Sequence, residues 1–240
     1  MPRIALFSSS GLIGFGKNKF FSIIEKVSGQ IFTIISGIKN STDLVKYGSA
    51  SLKFDGSSNS AGISYYSPTP LHTSSTSTTI ECWVYVDGAM KGPWSISSEL
   101  NGSGQNLTFF IPFSTQINFS GITTDGIYGF QAPLTTPDMV NKWNHIVVQY
   151  SSTNWQVFLN GTSVGQSTFP NIVAQQQDYR QTTNSNYFFV GGWPKYPGNM
   201  FAGYVDDIRV SNGLRYSGNF TPPASKLTVD ETTLALFQAP

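Results

Sequence analysis

From residue 31 onward apolar side chains recur at every second position, and this spacing constrains the chain more than any other feature. TTIECWVYV sets Ile80, Cys82, Val84 and Val86 on one face and Glu81, Trp83 and Tyr85 on the other. SLKF sets Leu52 and Phe54 on one face, and Asp55-Gly56 then turns the chain. WNHIVVQY and NWQVFLNG are separated by Ser151, Ser152 and Thr153, which predicts a hairpin, and Asn160-Gly161 predicts a further reversal. IFTIISG, NLTFFIPF, NYFFVGG, MFAGYVDDIRV and TTLALFQ add strands, and Pro112 places NLTFFIPF at a sheet edge or at a bulge. Short strands at regular intervals, with no helical period after residue 30, predict an all-β, antiparallel two-sheet sandwich.

Residues 1–30 follow a different rule. Phe20, Ile23, Ile24 and Val27 fall at helical spacing and Gly29 is a stop signal. They read as an N-terminal arm, either packed on the main domain or serving as an attachment segment for another protein. Residues 31–240 read as one domain, and HTSSTSTT (72–79) as a loop within it. MPRIALFSSSGLIGFG lacks the continuous apolar stretch of a signal peptide. The apolar-rich segment from Phe20 to Ile38 carries Glu25 and Lys26 near its middle, so no membrane span is expected.

Several function classes lose their support. With charged residues at 11% and a net charge of +1, there is no electrostatic footprint for nucleic acid or an anionic membrane. Cys82 is the one cysteine, so no disulfide forms within the chain, and its position on the apolar face makes it a core residue. No Gly-x-Ser-x-Gly elbow and no zinc-spaced His/Cys cluster occurs. His72 falls in a polar loop. His145 falls mid-strand without a metal-spaced partner and reads as structural.

Four stretches in this order, YGSASLKFDGS (47–57), TIECWVYVDG (79–88), NKWNHIVVQYSSTNWQVFLNGTSVG (141–165) and NYFFVGGWPKYPGNMFAGYVDDIRVSNGLRYSGNFTPP (186–223), resemble the laminin-G-like, concanavalin A-like lectin/glucanase superfamily. The ending, LRYSGNFTPP followed by TLALF, resembles laminin-G-like modules of bacteriophage virion proteins, and the Gly/Ser-rich opening is similar to the N-termini of such proteins. The resemblance implies a jelly roll of two curved antiparallel sheets. It also implies a virion structural protein, a capsid decoration or a tail or fibre component, made in the host cytoplasm. Its arm would attach to other virion proteins, it would self-associate, and its lectin-like domain would engage surface glycans. The rival implied by the same fold is a secreted or cell-surface carbohydrate-binding module.

Members of the superfamily that hydrolyse polysaccharides place two carboxylates across a sugar cleft, with acids at alternate positions of one strand. Glu25, Glu81, Glu99 and Glu231 are the only glutamates, and none has an acid two residues away. Asp206 and Asp207 are adjacent, which under strict alternation turns them to opposite faces. A non-catalytic protein is expected.

The same alternation groups Tyr204, Asp206, Ile208 and Val210, and sets Val205, Asp207 and Arg209 opposite. Asp206 on the more apolar face then needs compensation, from backbone N–H groups, from an arginine such as Arg215, or from Ca²⁺. By the resemblance, the calcium reading makes Asp206 a structural ligand with carbonyls near Gly56; the purely structural reading ties strand to loop by hydrogen bonds. Asp207 is expected to pair with Arg209 or face solvent.

Sugar rings stack their C–H faces on exposed aromatics edged by amides. Trp143, Trp155, Phe158 and Phe188 fall in strands and are assigned to packing, while Trp83 and Tyr85 are placed to line the concave surface. Loop aromatics are the glycan-contact candidates: Trp94 in DGAMKGPWS, and Trp193 and Tyr196 in GGWPKYPGN, with Asn101 and Asn199 as polar edges.

Overall fold

The computed structural model describes residues 33–36, 38–56, 62–66, 77–87, 94–100, 105–113, 116–121, 130–135, 137–151, 154–168, 186–191 and 201–239, and every regular element among them is a strand. In chain order these are β1 (Thr33–Ser36), β2 (Ile38–Ser41), β3 (Ser51–Asp55), β4 (Gly62–Tyr66), β5 (Thr78–Val86), β6 (Trp94–Leu100), β7 (Gln105–Phe113), β8 (Gln116–Gly121), β9 (Phe130–Thr135), β10 (Trp143–Tyr150), β11 (Asn154–Leu159), β12 (Thr162–Thr168), β13 (Asn186–Val190), β14 (Ala202–Asn212) and β15 (Thr233–Phe237). One sheet runs β1-β4-β13-β6-β7-β8-β9. The other runs β12-β11-β10-β5-β14-β3-β2, with β15 paired to β14. The expected antiparallel two-sheet sandwich is the observed architecture. The arm at 1–30 lies outside the described residues.

IFTIISG supplies one strand, β1, and the segment directly after it, IKNS, supplies β2; the two enter different sheets, β1 pairing with β4 and β2 with β3. Pro112 sits inside β7, between β6 and β8, so the edge alternative fails and the bulge stands, with the register slipping between Phe110 and Phe113. Thr78 and Thr79 already belong to β5, so the polar loop ends before them. The hairpin β10–β11 pairs Tyr150 with Trp155 as its spacing requires. Asn160 (φ 52°) and Gly161 (φ 79°) make the following reversal in the left-handed region that this dipeptide tolerates.

The core fills the inner face of the eight-stranded sheet. Leu52, Phe54, Cys82, Val84, Val86, Ile146, Val148, Val157, Val205, Ile208, Val210 and Phe237 are buried there, joined by Val190 from the other sheet. Each such side chain contributes about 1.5–3 kcal/mol by leaving water. The opposite, outer face of this sheet is roofed by two irregular segments, residues 42–50 and 213–232, so side chains on both faces are buried.

Candidate functional site

Strict alternation fails in the middle of β14. Its register with β5 slips between Asp206 and Arg209, and Asp207 adopts φ 47°. This β-bulge resets the faces. Val205, Ile208 and Val210 all point into the core. Asp206 stands opposite Trp83, and Arg209 opposite Glu81, on the outer face. The sequence-based grouping of Asp206 with Ile208 and Val210 is therefore wrong, because an extra residue intervenes.

The bulge coincides with a change of neighbour. One edge of β14 pairs with β5 along its length, while the other pairs with β3 from Ala202 to Val205 and with β15 from Ile208 to Ser211. The two aspartates occupy the gap between those partners. Asp206 Oδ2 accepts the Tyr47 N–H at 3.1 Å and its Oδ1 accepts the Asp207 N–H at 2.9 Å. Asp207 Oδ2 accepts the Leu227 N–H at 2.7 Å and its Oδ1 accepts from Gln238 Nε2 at 2.8 Å. Side-chain oxygens thus take over where strand carbonyls are missing.

Backbone N–H groups compensate Asp206; Arg215 does not, since its hydrogen bonds go to Ser211, Asp230 and Thr232. Asp207 neither faces solvent nor pairs with Arg209. Gly56 lies against Ala202, at the far end of the β3–β14 pairing from Asp206. Calcium needs converging oxygens, and the donors around Asp206 are N–H groups, so its surroundings fit a hydrogen-bonded carboxylate and not a cation ligand. Burial pushes the Asp206 carboxyl up to about 6, and burial raises that of Asp207 as well.

On the same outer face, Glu81 is the hub of a buried ion network. Its Oε1 accepts from Arg209 Nε at 2.8 Å and Nη2 at 2.6 Å. Its Oε2 accepts the Tyr216 hydroxyl at 2.8 Å and lies 3.2 Å from His145 Nε2, off hydrogen-bond alignment. Arg215 Nε approaches Oε1 at 3.5 Å and its guanidinium pairs with Asp230. Burial pushes the Glu81 carboxyl up, but His145 and Arg209 outweigh it and hold the group below its ordinary value. Burial, then the Glu81 charge, pushes the Tyr216 hydroxyl upward. Glu81 is 1% exposed and both oxygens are taken, so no substrate reaches it. The network fastens the 213–232 segment to the sheet.

Beside this network, between β10, β11, β12 and the 213–217 segment, opens a cleft of about 490 Å³. Gln149, Asn154, Gln156, Gln166, Leu214 and Tyr216 line it. Gln149 is clamped to the backbone of Tyr216, accepting its N–H at 3.2 Å and donating to its carbonyl at 2.5 Å. Gln149 Nε2 also donates to Gln156 Oε1 at 3.3 Å, and Gln156 Nε2 to Gln166 Oε1 at 3.1 Å. The amides form a relay with one direction. Tyr216 stacks on Phe220 at 3.6 Å between ring centres, which fixes the ring that walls the cleft.

Of the glycan-contact candidates, Trp94 opens β6, paired with Ile111, instead of lying in a loop. Asn101, Trp193, Tyr196 and Asn199 fall outside the described residues. Trp83 is buried, 5% exposed, beneath Lys46 at 3.8 Å and Tyr47, and so lines no open surface. Tyr85 packs edge-on against Trp143 and Tyr204. Trp155 and Phe158 are buried as assigned. The cleft residues went unnoticed in the sequence. Their signal was there: the hairpin register pairs Gln149 with Gln156 on the face opposite Val148 and Val157.

A family model for the concanavalin A-like lectin/glucanases superfamily matches residues 56–217. No curated protein matches the sequence. Among solved structures, the CBM40 of the Ruminococcus gnavus IT-sialidase, bound to alpha2,3 sialyllactose, gives a TM-score of 0.51 at 13% identity, over 67% of this chain and 88% of that one. A carbohydrate esterase of the Shiga toxin-encoding bacteriophage phi24B gives 0.52 at 13% identity, over 80% and 97%. The Trypanosoma rangeli sialidase in complex with the inhibitor DANA gives 0.51 at 13% identity, over 83% of this chain and 31% of that one. At such identities these likenesses show the fold alone.

Proposed function

Because the chain belongs to the concanavalin A-like lectin/glucanase superfamily, we propose that it is a non-catalytic glycan-binding protein, and a structural component of a bacteriophage particle. The observation that carries the non-catalytic reading is the fate of its buried acids. Glu81, Asp206 and Asp207 each have both oxygens engaged by protein donors, and none presents an oxygen to a sugar. Hydrolysis needs a pair of carboxyl groups facing one another across substrate, with room for a sugar ring between them. The particle role draws on the likeness of LRYSGNFTPP…TLALF to virion modules and is consistent with a fold shared with a phage carbohydrate esterase. In that role the arm binds other virion proteins and the domain self-associates.

The rival, a secreted or cell-surface carbohydrate-binding module, is favoured by the fold shared with CBM40. One set of experiments separates the readings. The purified chain is tested on a glycan array and for reducing-sugar release, and purified phage particles are analysed by mass spectrometry. Array binding without sugar release, and the chain among particle proteins, is the expected result. Sugar release by the wild type would overturn the non-catalytic reading, and absence from particles the virion role.

A further inference from the structure

We propose that the cleft under the 213–217 segment is a binding site for an uncharged saccharide, which the free amides of Gln166 and Asn154 hold against Leu214 and the ring of Tyr216. This rests on the glycan-binding reading above and gives it a place and a ligand class.

The volume, about 490 Å³, is within the ordinary range for small-ligand sites. The relay of amides supplies the direction. Tyr216 N–H fixes which end of Gln149 is the acceptor, so Gln149 must donate to Gln156, and Gln156 to Gln166. Both N–H groups of Gln149 and of Gln156 are thereby used within the protein. Gln166 Nε2, at the exposed end of the relay, donates to no other described residue, and neither does the exposed Asn154 amide. A hydroxyl-rich ligand, both donor and acceptor at each oxygen, matches such a set. Leu214, 53% exposed, and Tyr216 give the apolar wall that a ring's C–H face needs.

The class follows from charge. No lining residue is ionic. Arg215 stands between Leu214 and Tyr216 in sequence, yet its guanidinium is turned to Asp230, Ser211, Thr232 and Glu81. Arg209 is committed to Glu81. An acidic sugar would bring a carboxylate into the cleft without a counter-ion, at the cost of its hydration.

The test uses the full chain and an array carrying neutral glycans together with sialylated and uronate-containing ones, followed by titration calorimetry with the strongest binder. The variants are Asn154→Ala/Gln166→Ala, both sites exposed, and Trp94→Ala/Trp193→Ala/Tyr196→Ala. Neutral glycans alone are expected to bind, with affinity falling tenfold or more in the cleft variant at unchanged melting temperature and staying within twofold in the triple aromatic variant. Binding of acidic glycans would overturn the uncharged class. Neutral binding that survives the cleft variant, or falls only in the triple aromatic variant, would overturn the location while leaving the lectin reading. An array with no binder at all would remove both.

Discussion

Asp206 and Asp207 do the work of strand carbonyls, and they do so as buried acids that their surroundings make reluctant to ionise. Burial raises the folded carboxyl of Asp206 to about 6, above its ordinary value of 3.8. The native state therefore holds this proton more tightly than the unfolded chain. Its contribution is most favourable below about pH 4, where both states are protonated, and declines as pH rises through 6. Asn at 206 keeps an acceptor for the Tyr47 N–H and removes the titration. Urea denaturation is expected to show the stability of Asp206→Asn, relative to wild type, rising by about 2 kcal/mol between pH 4 and pH 7. A pH-independent difference would contradict the assignment. At this scale the sequence was only half readable. Two adjacent acids in a strand announced that something needed compensation, and backbone N–H groups, one of the partners considered, do reach Asp206. Their faces were misread, because a bulge leaves no mark in an apolar/polar pattern beyond a residue tolerant of positive φ, and Asp207 is one.

Among the elements, the β10–β11 hairpin and the Asn160-Gly161 reversal were legible because local chemistry dictates them. Their docking was not, since it depends on residues distant in sequence. A Cβ on Gly161 would stand 1.9 Å from the Phe220 carbonyl oxygen, and the Gly161 carbonyl accepts the Phe220 N–H at 2.9 Å. The turn is thus a seat for the C-terminal segment as well as a reversal. Gly161→Ala is expected to cost on the order of 2 kcal/mol, from positive φ and the lost seat. It should also open residues 213–223 to limited proteolysis in the native state. Wild-type resistance in that segment of the variant would show the contact to be dispensable. The cleft belongs with what could not be read: β10 and β11 were visible, β12 was not singled out, and only the roof laid over all three makes a cavity.

For the molecule as a whole, the two-sheet fold was foreseeable from alternation, while the burial of both faces of one sheet was not. Glu81 is the reason the outer face tolerates a roof rich in charge. Removing one member of a buried ionic group leaves the others uncompensated, typically at about 3–5 kcal/mol. Glu81→Ala is expected to fall in that range by chemical denaturation, with amides of residues 213–232 exchanging faster than those of the inner core strands. A loss below about 1 kcal/mol would show the network to be incidental.

Glu81 also sets an order of events on the ribosome. Arg209 follows it by 128 residues and Tyr216 by 135. At bacterial or eukaryotic elongation speeds this is a wait of roughly ten seconds. Throughout that interval the chain has the Glu81 carboxylate without the guanidinium and the hydroxyl that take its oxygens in the finished molecule. The outer face of β5 can therefore close only once the end of β14 and the segment after it have been made.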